Sequence, residues 1–195
     1  MSRTIALTLV FGLTISSVAL AEQADYGLGR PASDAEIAGW NIDVRPSGAG
    51  LPEGSGTAGD GEAIYKTQCA ACHGPKGENG AFPRLVGGQG TLASDKPIKT
   101  VGSYWPYATT LYDYIHRAMP LTSPQSLSPD ETYAVTAYVL YLNGLVDRDE
   151  ALDAGTLAKV EMPNRNGFVS PDPRPDVSNE ACMQDCVQNS ELKAK

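Results

Sequence analysis

Five consecutive residues, Cys69-Ala70-Ala71-Cys72-His73, decide how this chain folds. The C-x-x-C-H spacing lets two thiols add across the vinyl groups of one porphyrin, while the adjacent imidazole reaches the iron. A thioredoxin-like redox pair would follow a strand in a βαβ pattern, and no such pattern precedes the motif. A zinc site would have to recruit Cys182 and Cys186, which are distant in sequence, and no second histidine completes a usual finger. Apart from a chance match, the motif predicts one covalent haem c and a chain that folds around it.

The histidine of the motif needs a partner for its second ring nitrogen. Nitrogen ligation fixes the orientation and tautomer of an imidazole only when its other nitrogen is held, usually by a carbonyl. Pro83 is the candidate to present that carbonyl to His73, and a purely structural turn proline is the alternative.

Several residues compete for the other axial position of the iron. Met119 ends a predicted helix, and Pro120 stops the chain there in a way that can aim the thioether at the iron. Met162 also precedes a proline, whereas His116 would give bis-histidine iron of lower potential. Met183 lies between the two C-terminal cysteines and is the weakest candidate. We favour Met119 as the second ligand.

The first 21 residues have the pattern of a secretory signal peptide. Arg3 supplies a positive start, Ile5 to Val18 is an apolar run, and Ala19-Leu20-Ala21 is an A-x-A cleavage site. A permanent membrane anchor is the alternative, but Thr, Ser and Gly interrupt the run, so we expect no permanent membrane span. Export predicts a periplasmic protein.

In that oxidising compartment Cys182 and Cys186 are disulfide candidates, with a metal site or free thiols as alternatives.

The remaining sequence predicts one haem domain with two arms. Residues 22–56, rich in Gly, Pro and Ala, form an extended N-terminal arm; residues 57–147 form the haem domain; residues 148–195 form a C-terminal arm with the Cys pair. The N-terminal arm is either a linker or a segment that docks; docking is suggested because Trp40, Ile42 and Val44 alternate like an edge strand.

The net charge of −8 argues against binding to nucleic acid and suits binding to a basic partner protein, although simple solubility would also explain this charge.

Helical periodicity and capping residues predict a mainly α fold. A capping box at Ser33 to Glu36 begins a short helix that ends at about Gly39. Three longer helices are predicted over residues 57–70, 104–118 and 129–143. In the helix over 104–118 one stripe carries Tyr107, Leu111, Tyr114, Ile115 and Ala118. Gly61 lies one turn before Tyr65, where a missing side chain would let the last helix cross closely.

These motifs together resemble a class I cytochrome c. The resemblance is carried by Gly61-Glu-Ala-Ile-Tyr65, the C-x-x-C-H motif, Pro83-x-Leu85, Met119-Pro120 and Ala137-Tyr138-Val139. It implies a class I cytochrome c fold in which the first and last helices cross, with Gly61 and Tyr65 against Tyr138. It also implies that the Pro83 carbonyl holds the haem histidine and that methionine is the distal ligand.

A narrower resemblance covers nearly all of residues 24–186. The chain is similar to the cytochrome subunits of the sulfane dehydrogenases of the Sox sulfur-oxidation system. The motifs that carry this similarity are Tyr26-Gly-Leu-Gly-Arg-Pro, Trp40-Asn-Ile-Asp-Val-Arg-Pro, Gly102-Ser-Tyr-Trp-Pro-Tyr, His116-Arg-Ala-Met-Pro, Met162-Pro-Asn-Arg-Asn-Gly-Phe and the final Cys-x-x-x-Cys. In that family a molybdenum subunit oxidises sulfane sulfur and passes electrons to the cytochrome. Its members often carry a second haem domain, whereas this chain has one C-x-x-C-H motif.

The resemblance implies a periplasmic monohaem cytochrome of the electron-transfer class. It would accept electrons from a molybdenum-containing sulfane or sulfite dehydrogenase subunit and pass them to downstream cytochromes, without bond-making chemistry of its own. One alternative is a haem enzyme that acts directly on a sulfur substrate, for which only Arg117 and His116 offer distal polar groups. The other is a free electron shuttle without a fixed partner.

Overall fold

The computed structural model describes residues 28–168 of the 195-residue chain. The predicted signal peptide, Met183 and the Cys182 and Cys186 pair lie outside these residues. The chain divides into two compact units, one up to Gly39 and one from Trp40 onward. The elements, in chain order, are α1 (Asp34–Trp40), β1 (Ser55–Gly56), α2 (Ala58–Gln68), α3 (Ala70–His73), α4 (Ala108–Ala118), α5 (Pro129–Leu142), β2 (Leu152–Asp153) and a 3-10 helix (Leu157–Lys159).

The helix of the first unit begins at the predicted capping box. The backbone N–H of Ser33 donates to Glu36 Oε2 (2.9 Å), and the N–H of Glu36 donates back to Ser33 Oγ (3.3 Å). Arg30 also donates to the Glu36 carboxylate, and this bond, with those from Ser33, lowers the pKa of Glu36 to about 2. No residue of α1 is buried.

The second unit is organised by the crossing of α2 and α5, both of which begin at capping boxes. Thr57 Oγ1 accepts the N–H of Asp60 (3.1 Å), and Ser128 Oγ accepts the N–H of Glu131 (3.3 Å). Both predicted helices are confirmed, with one difference. The helix predicted through residue 70 is interrupted at Cys69, whose backbone (φ −120°, ψ −37°) departs from helical geometry and starts α3.

The prediction for α4 was wrong at its beginning. The helix starts at Ala108 rather than at residue 104, because Tyr107 is extended (φ −140°, ψ 133°) and Pro106 disfavours helical geometry at the residue before it. The buried stripe also differs from the predicted one. Tyr112 is fully buried, with its ring centroid 4.5 Å from that of Tyr133 on α5, whereas Tyr114 is 48% exposed.

Segments on both sides of the helical core pack onto it. Val44 is buried and donates its N–H to Asp113 Oδ1 (2.8 Å) on α4, and Tyr133 donates its hydroxyl to the carbonyl of Pro52 (2.9 Å). Residues 41–54 form no strand, although Trp40, Ile42 and Val44 alternate like one. Trp40 ends α1, and the backbone groups of Val44, Pro46 and Pro52 bond to side chains of α4 and α5 instead.

The segment after residue 148, predicted as an irregular arm, also contributes to the core. Gly56 of β1 pairs antiparallel with Leu152 of β2. The segment buries Leu152, Leu157, Val160 and Met162 in the main cluster. Within residues 28–168, no helix has the length and apolar character needed to cross a membrane.

Candidate haem site

The break between α2 and α3 positions the C-x-x-C-H motif. Cys69 donates its N–H to the carbonyl of Tyr65 (2.9 Å) at the end of α2, and its own carbonyl accepts the N–H of His73 (2.9 Å). The single turn of α3 brings both cysteines and the histidine to one cavity. Both cysteine side chains are partly buried. Burial, reinforced by the nearby Cys72, raises the pKa of the Cys69 thiol to about 11.

The ring of His73 is held from behind by a backbone carbonyl. Its Nδ1 lies 3.0 Å from the carbonyl oxygen of Pro83. A carbonyl oxygen can only accept a hydrogen bond, so Nδ1 carries the proton in this contact and Nε2 keeps a free lone pair. This is the tautomer that an iron-ligating histidine needs.

The loop that carries Pro83 is tied to the motif by backbone bonds. Phe82 donates its N–H to the carbonyl of Cys72 (3.0 Å), and Leu85 donates its N–H to the carbonyl of Gly77 (2.7 Å). Gly74 and Gly77 have φ values of 82° and 76°, a region that strongly favours glycine. The loop therefore places the Pro83 carbonyl through its own hydrogen bonds.

A cavity of about 300 Å³ brings the predicted site residues together. Its lining includes Cys69, Cys72, His73, Pro83 and Met119, which come from the break between α2 and α3, from α3, from the following loop and from the end of α4. Most of the remaining lining is apolar, and α4 and α5 contribute Leu111, Ile115, Val135 and Val139. An apolar cavity with a few converging polar groups is typical of a cofactor site.

The charges around the cavity also match a haem, which carries two carboxylates on an apolar ring. Arg84 and Lys99 line the cavity, and no Asp or Glu does so in the described part of this acidic chain. Arg84 also lies 3.6 Å from Glu78, and Lys99 Nζ lies 5.0 Å from the ring centroid of Tyr104. The residues present therefore fit haem c. Arg84 and Lys99 would supply positive charge to offset its carboxylates.

The competing axial ligands lie elsewhere in the described residues. Met162 is 3% exposed in the hydrophobic core and does not line the cavity. His116 is stacked on Tyr112, with centroids 6.0 Å apart, and its buried Nδ1 has no hydrogen-bond partner. Of these three candidates, Met119 is the one that lines the cavity.

Sequence reasoning did not identify the role of Asn143. It was predicted only to end the last helix, but its buried side chain donates to the carbonyls of Val139 (2.9 Å) and Leu85 (3.2 Å). Its Oδ1 accepts the N–H of Gly87 (3.3 Å). Asn143 thus fastens the loop after Pro83 to α5. An Asn-Gly pair at a helix end is typical of a simple cap, so the sequence carries no separate signal for this long-range contact.

The chain is similar to a known protein family and to a solved structure. The family model described as cytochrome C oxidase, cbb3-type, subunit III matches residues 56–139, which include the C-x-x-C-H motif and Met119. No curated protein matches the chain. The crystal structure of the sulfane dehydrogenase SoxCD from Paracoccus pantotrophus matches with 46% sequence identity and a TM-score of 0.73, over 83% of this chain and 82% of that chain. The chain is therefore a class I cytochrome c with covalent haem c, and it belongs to the same family as the matched chain of SoxCD.

Proposed function

We propose that this chain is a periplasmic, single-haem electron-transfer subunit of a sulfur-oxidising complex. It accepts electrons from a molybdenum-containing sulfane or sulfite dehydrogenase subunit and passes them to a downstream cytochrome. The observation that carries the electron-transfer role is the single cavity joining Cys69, Cys72 and His73 to Met119. The similarity to SoxCD supports the sulfur-oxidising context.

Each of four side chains in this cavity has a distinct role in binding the haem. Cys69 and Cys72 would form the two thioether links, and His73 would bind the iron through Nε2 while the Pro83 carbonyl holds its Nδ1 proton. Met119 would supply the other iron ligand. Haem c takes up and releases one electron at its iron, and a thioether ligand raises its reduction potential.

The residues that line the cavity favour electron transfer over substrate chemistry. With His73 and Met119 both bound to the iron, a substrate would have to displace one of them to reach it. The described lining offers no carboxylate that could act as a general base. The cavity also reaches the surface, because two of its lining residues, Phe82 and Leu121, are 47% and 60% exposed. A redox partner can therefore approach the cavity edge directly.

Reduction by a purified partner tests this function. The oxidised holoprotein is mixed with the molybdenum-containing subunit and a sulfane-sulfur or sulfite donor, and haem reduction is followed by absorbance. We expect reduction only when both the subunit and the donor are present. Reduction by the donor alone would instead favour a haem enzyme, and no reduction under any condition would contradict the proposed partner. Stable co-purification with that subunit would exclude a free shuttle.

Export and cofactor count are part of the same proposal. Intact mass spectrometry of the periplasmic fraction should give a chain that begins at Glu22, carries one haem and has no free thiol at Cys182 or Cys186. An uncleaved chain, a second haem or two alkylatable cysteines would each contradict one component of the proposal.

A further inference from the structure

The last described segment, Met162–Phe168, lies against the loop that leads into α4. Asn164 Nδ2 donates to the carbonyl of Tyr104 (2.6 Å), and its own carbonyl accepts the N–H of Gly167 (3.0 Å). The buried Met162 anchors this turn in the core and accepts the N–H of Arg165 (3.0 Å). Asn164 is thus held in place by its own segment while it contacts another.

Two further contacts join the same pair of segments. The Arg165 guanidinium carbon lies 5.3 Å from the ring centroid of Tyr107, within the range of a cation–π contact. The ring of Phe168 meets the ring of Tyr104 edge-on, with centroids 5.2 Å apart. Both tyrosines of the loop are therefore held from outside by the C-terminal segment.

Trp105 lies between these two tyrosines and lines the haem cavity. Its ring packs edge-on against that of Tyr114, which also lines the cavity, with centroids 5.8 Å apart. Tyr104 donates its N–H to the carbonyl of Thr100 (3.0 Å), which ties the start of the loop locally. Beyond Tyr104 the backbone is non-helical, the described structure gives no backbone bond from the N–H of Trp105 or Tyr107, and Pro106 has no N–H to donate. Contacts from elsewhere in the chain therefore add to the support of this wall of the cavity.

We propose that Asn164 and Arg165 are positioning residues for Trp105. By holding Tyr104 and Tyr107 on either side of it, they keep the indole against the haem and exclude water from that wall. The polarity of the haem environment, and with it the reduction potential, then depends on a segment outside the family-matched residues 56–139. This inference rests on the haem site and not on the identity of the redox partner.

Trp105 can be monitored directly. The chain has two tryptophans, and Trp40 is 89% exposed, so Trp40→Phe leaves Trp105 as the single fluorescent reporter. In this background we expect Asn164→Ala in the holoprotein to increase Trp105 emission, because the indole moves away from the quenching haem. We also expect the equilibrium constant for reduction to fall up to about tenfold, ~59 mV for one electron, because water stabilises the oxidised form.

Asn166→Ala is the matched control. It removes the same side chain two residues away, where the described structure gives the side chain no hydrogen bond, so emission and potential should stay unchanged. Arg165→Ala should shift both quantities and Arg165→Lys should restore them, since a lysine keeps a cation over Tyr107.

The proposal is overturned if Asn164→Ala lowers the unfolding temperature but has the same reduction potential and Trp105 emission as Asn166→Ala. If Asn164→Ala does not fold, the proposal is tested by Arg165→Ala and Arg165→Lys, because position 165 is exposed. Equal potentials and emission for Arg165→Ala and Arg165→Lys would then overturn it. Neither readout requires a partner protein, so failure here is distinguishable from failure of the proposed function.

Discussion

Gly61 on α2 lies directly against the carbonyl group of Ala134 on α5. A β-carbon at position 61 would overlap that carbonyl and lie 3.0 Å from the β-carbon of Tyr138. The two helices therefore cross in backbone contact. One turn further along α2, the ring of Tyr65 packs on that of Tyr138 with centroids 5.1 Å apart. Cys69 follows Tyr65 by four residues, so this crossing helps to place the start of the C-x-x-C-H motif.

We predict that Gly61→Ala destabilises the holoprotein. The added methyl group forces the helices apart and should cost ~1–3 kcal/mol, more than the gain in helix propensity. Gly59→Ala is a control in the same helix, since its β-carbon would come no closer than 3.5 Å, to Thr57 Oγ1, and should cost nothing. The measurement is the free energy of unfolding in denaturant. Equal stability of the two variants would mean that the crossing tolerates a side chain.

Met119→Ala should abolish the spectroscopic signature of methionine ligation and lower the reduction potential, because the thioether ligand is lost. Met162→Ala is the matched control, since Met162 is buried in the core away from the cavity. It should keep the signature while it loses ~2–5 kcal/mol of stability. Absorbance of the oxidised protein and redox titration distinguish the two. A methionine signature that survives Met119→Ala would show that another residue ligates the iron.

Arg84→Gln should lower the reduction potential. Removing a cation at the cavity leaves more net negative charge near the haem, and that charge stabilises the oxidised, more positive form. Arg84→Lys keeps the charge and should stay near the native value. Arg45→Gln removes an exposed arginine outside the cavity lining and should change the potential little. If Arg84→Gln and Arg45→Gln titrate alike, Arg84 does not act on the haem.

Glu62→Gln should remove a pH-dependent part of the stability. Glu62 on α2 bonds Lys66 Nζ (2.8 Å) and Arg148 Nη2 (2.6 Å), and these partners lower its pKa from 4.5 to about 2. A carboxylate with a lowered folded-state pKa stabilises the protein fully above its unfolded pKa, and the contribution disappears as the pH falls through the folded pKa. The difference in unfolding temperature between native protein and variant should therefore close between about pH 4.5 and pH 2.

Glu53→Gln is the control for that experiment, because Glu53 is exposed and has no ion pair within residues 28–168. It should leave the pH profile of the unfolding temperature unchanged. A difference for Glu62→Gln that stays constant down to pH 2 would show that the network with Lys66 and Arg148 has no linkage to folding.

The helices that sequence reasoning predicted well carry local signals. Ser33 was recognised as a cap because capping depends on neighbours three residues away. The start of α4 was predicted too early because the stripe of apolar residues continues back to Tyr107. The extended backbone at Tyr107 makes Ala108 the first helical residue. Tyr112 was missed because the face that α4 buries is chosen by α5, through Tyr133.

The sequence by itself determined the chemistry of attachment. Two thiols and an imidazole at C-x-x-C-H spacing lie within one helical turn of each other, so their meeting at one porphyrin needs only local geometry. Tertiary structure alone decided which distant groups surround that turn. Met119 reaches the cavity while Met162 fills the core, and Asn143 and Asn164 fasten its loops across 56 or more residues of sequence. Such contacts depend on how α2, α4 and α5 pack, and no local pattern records that packing.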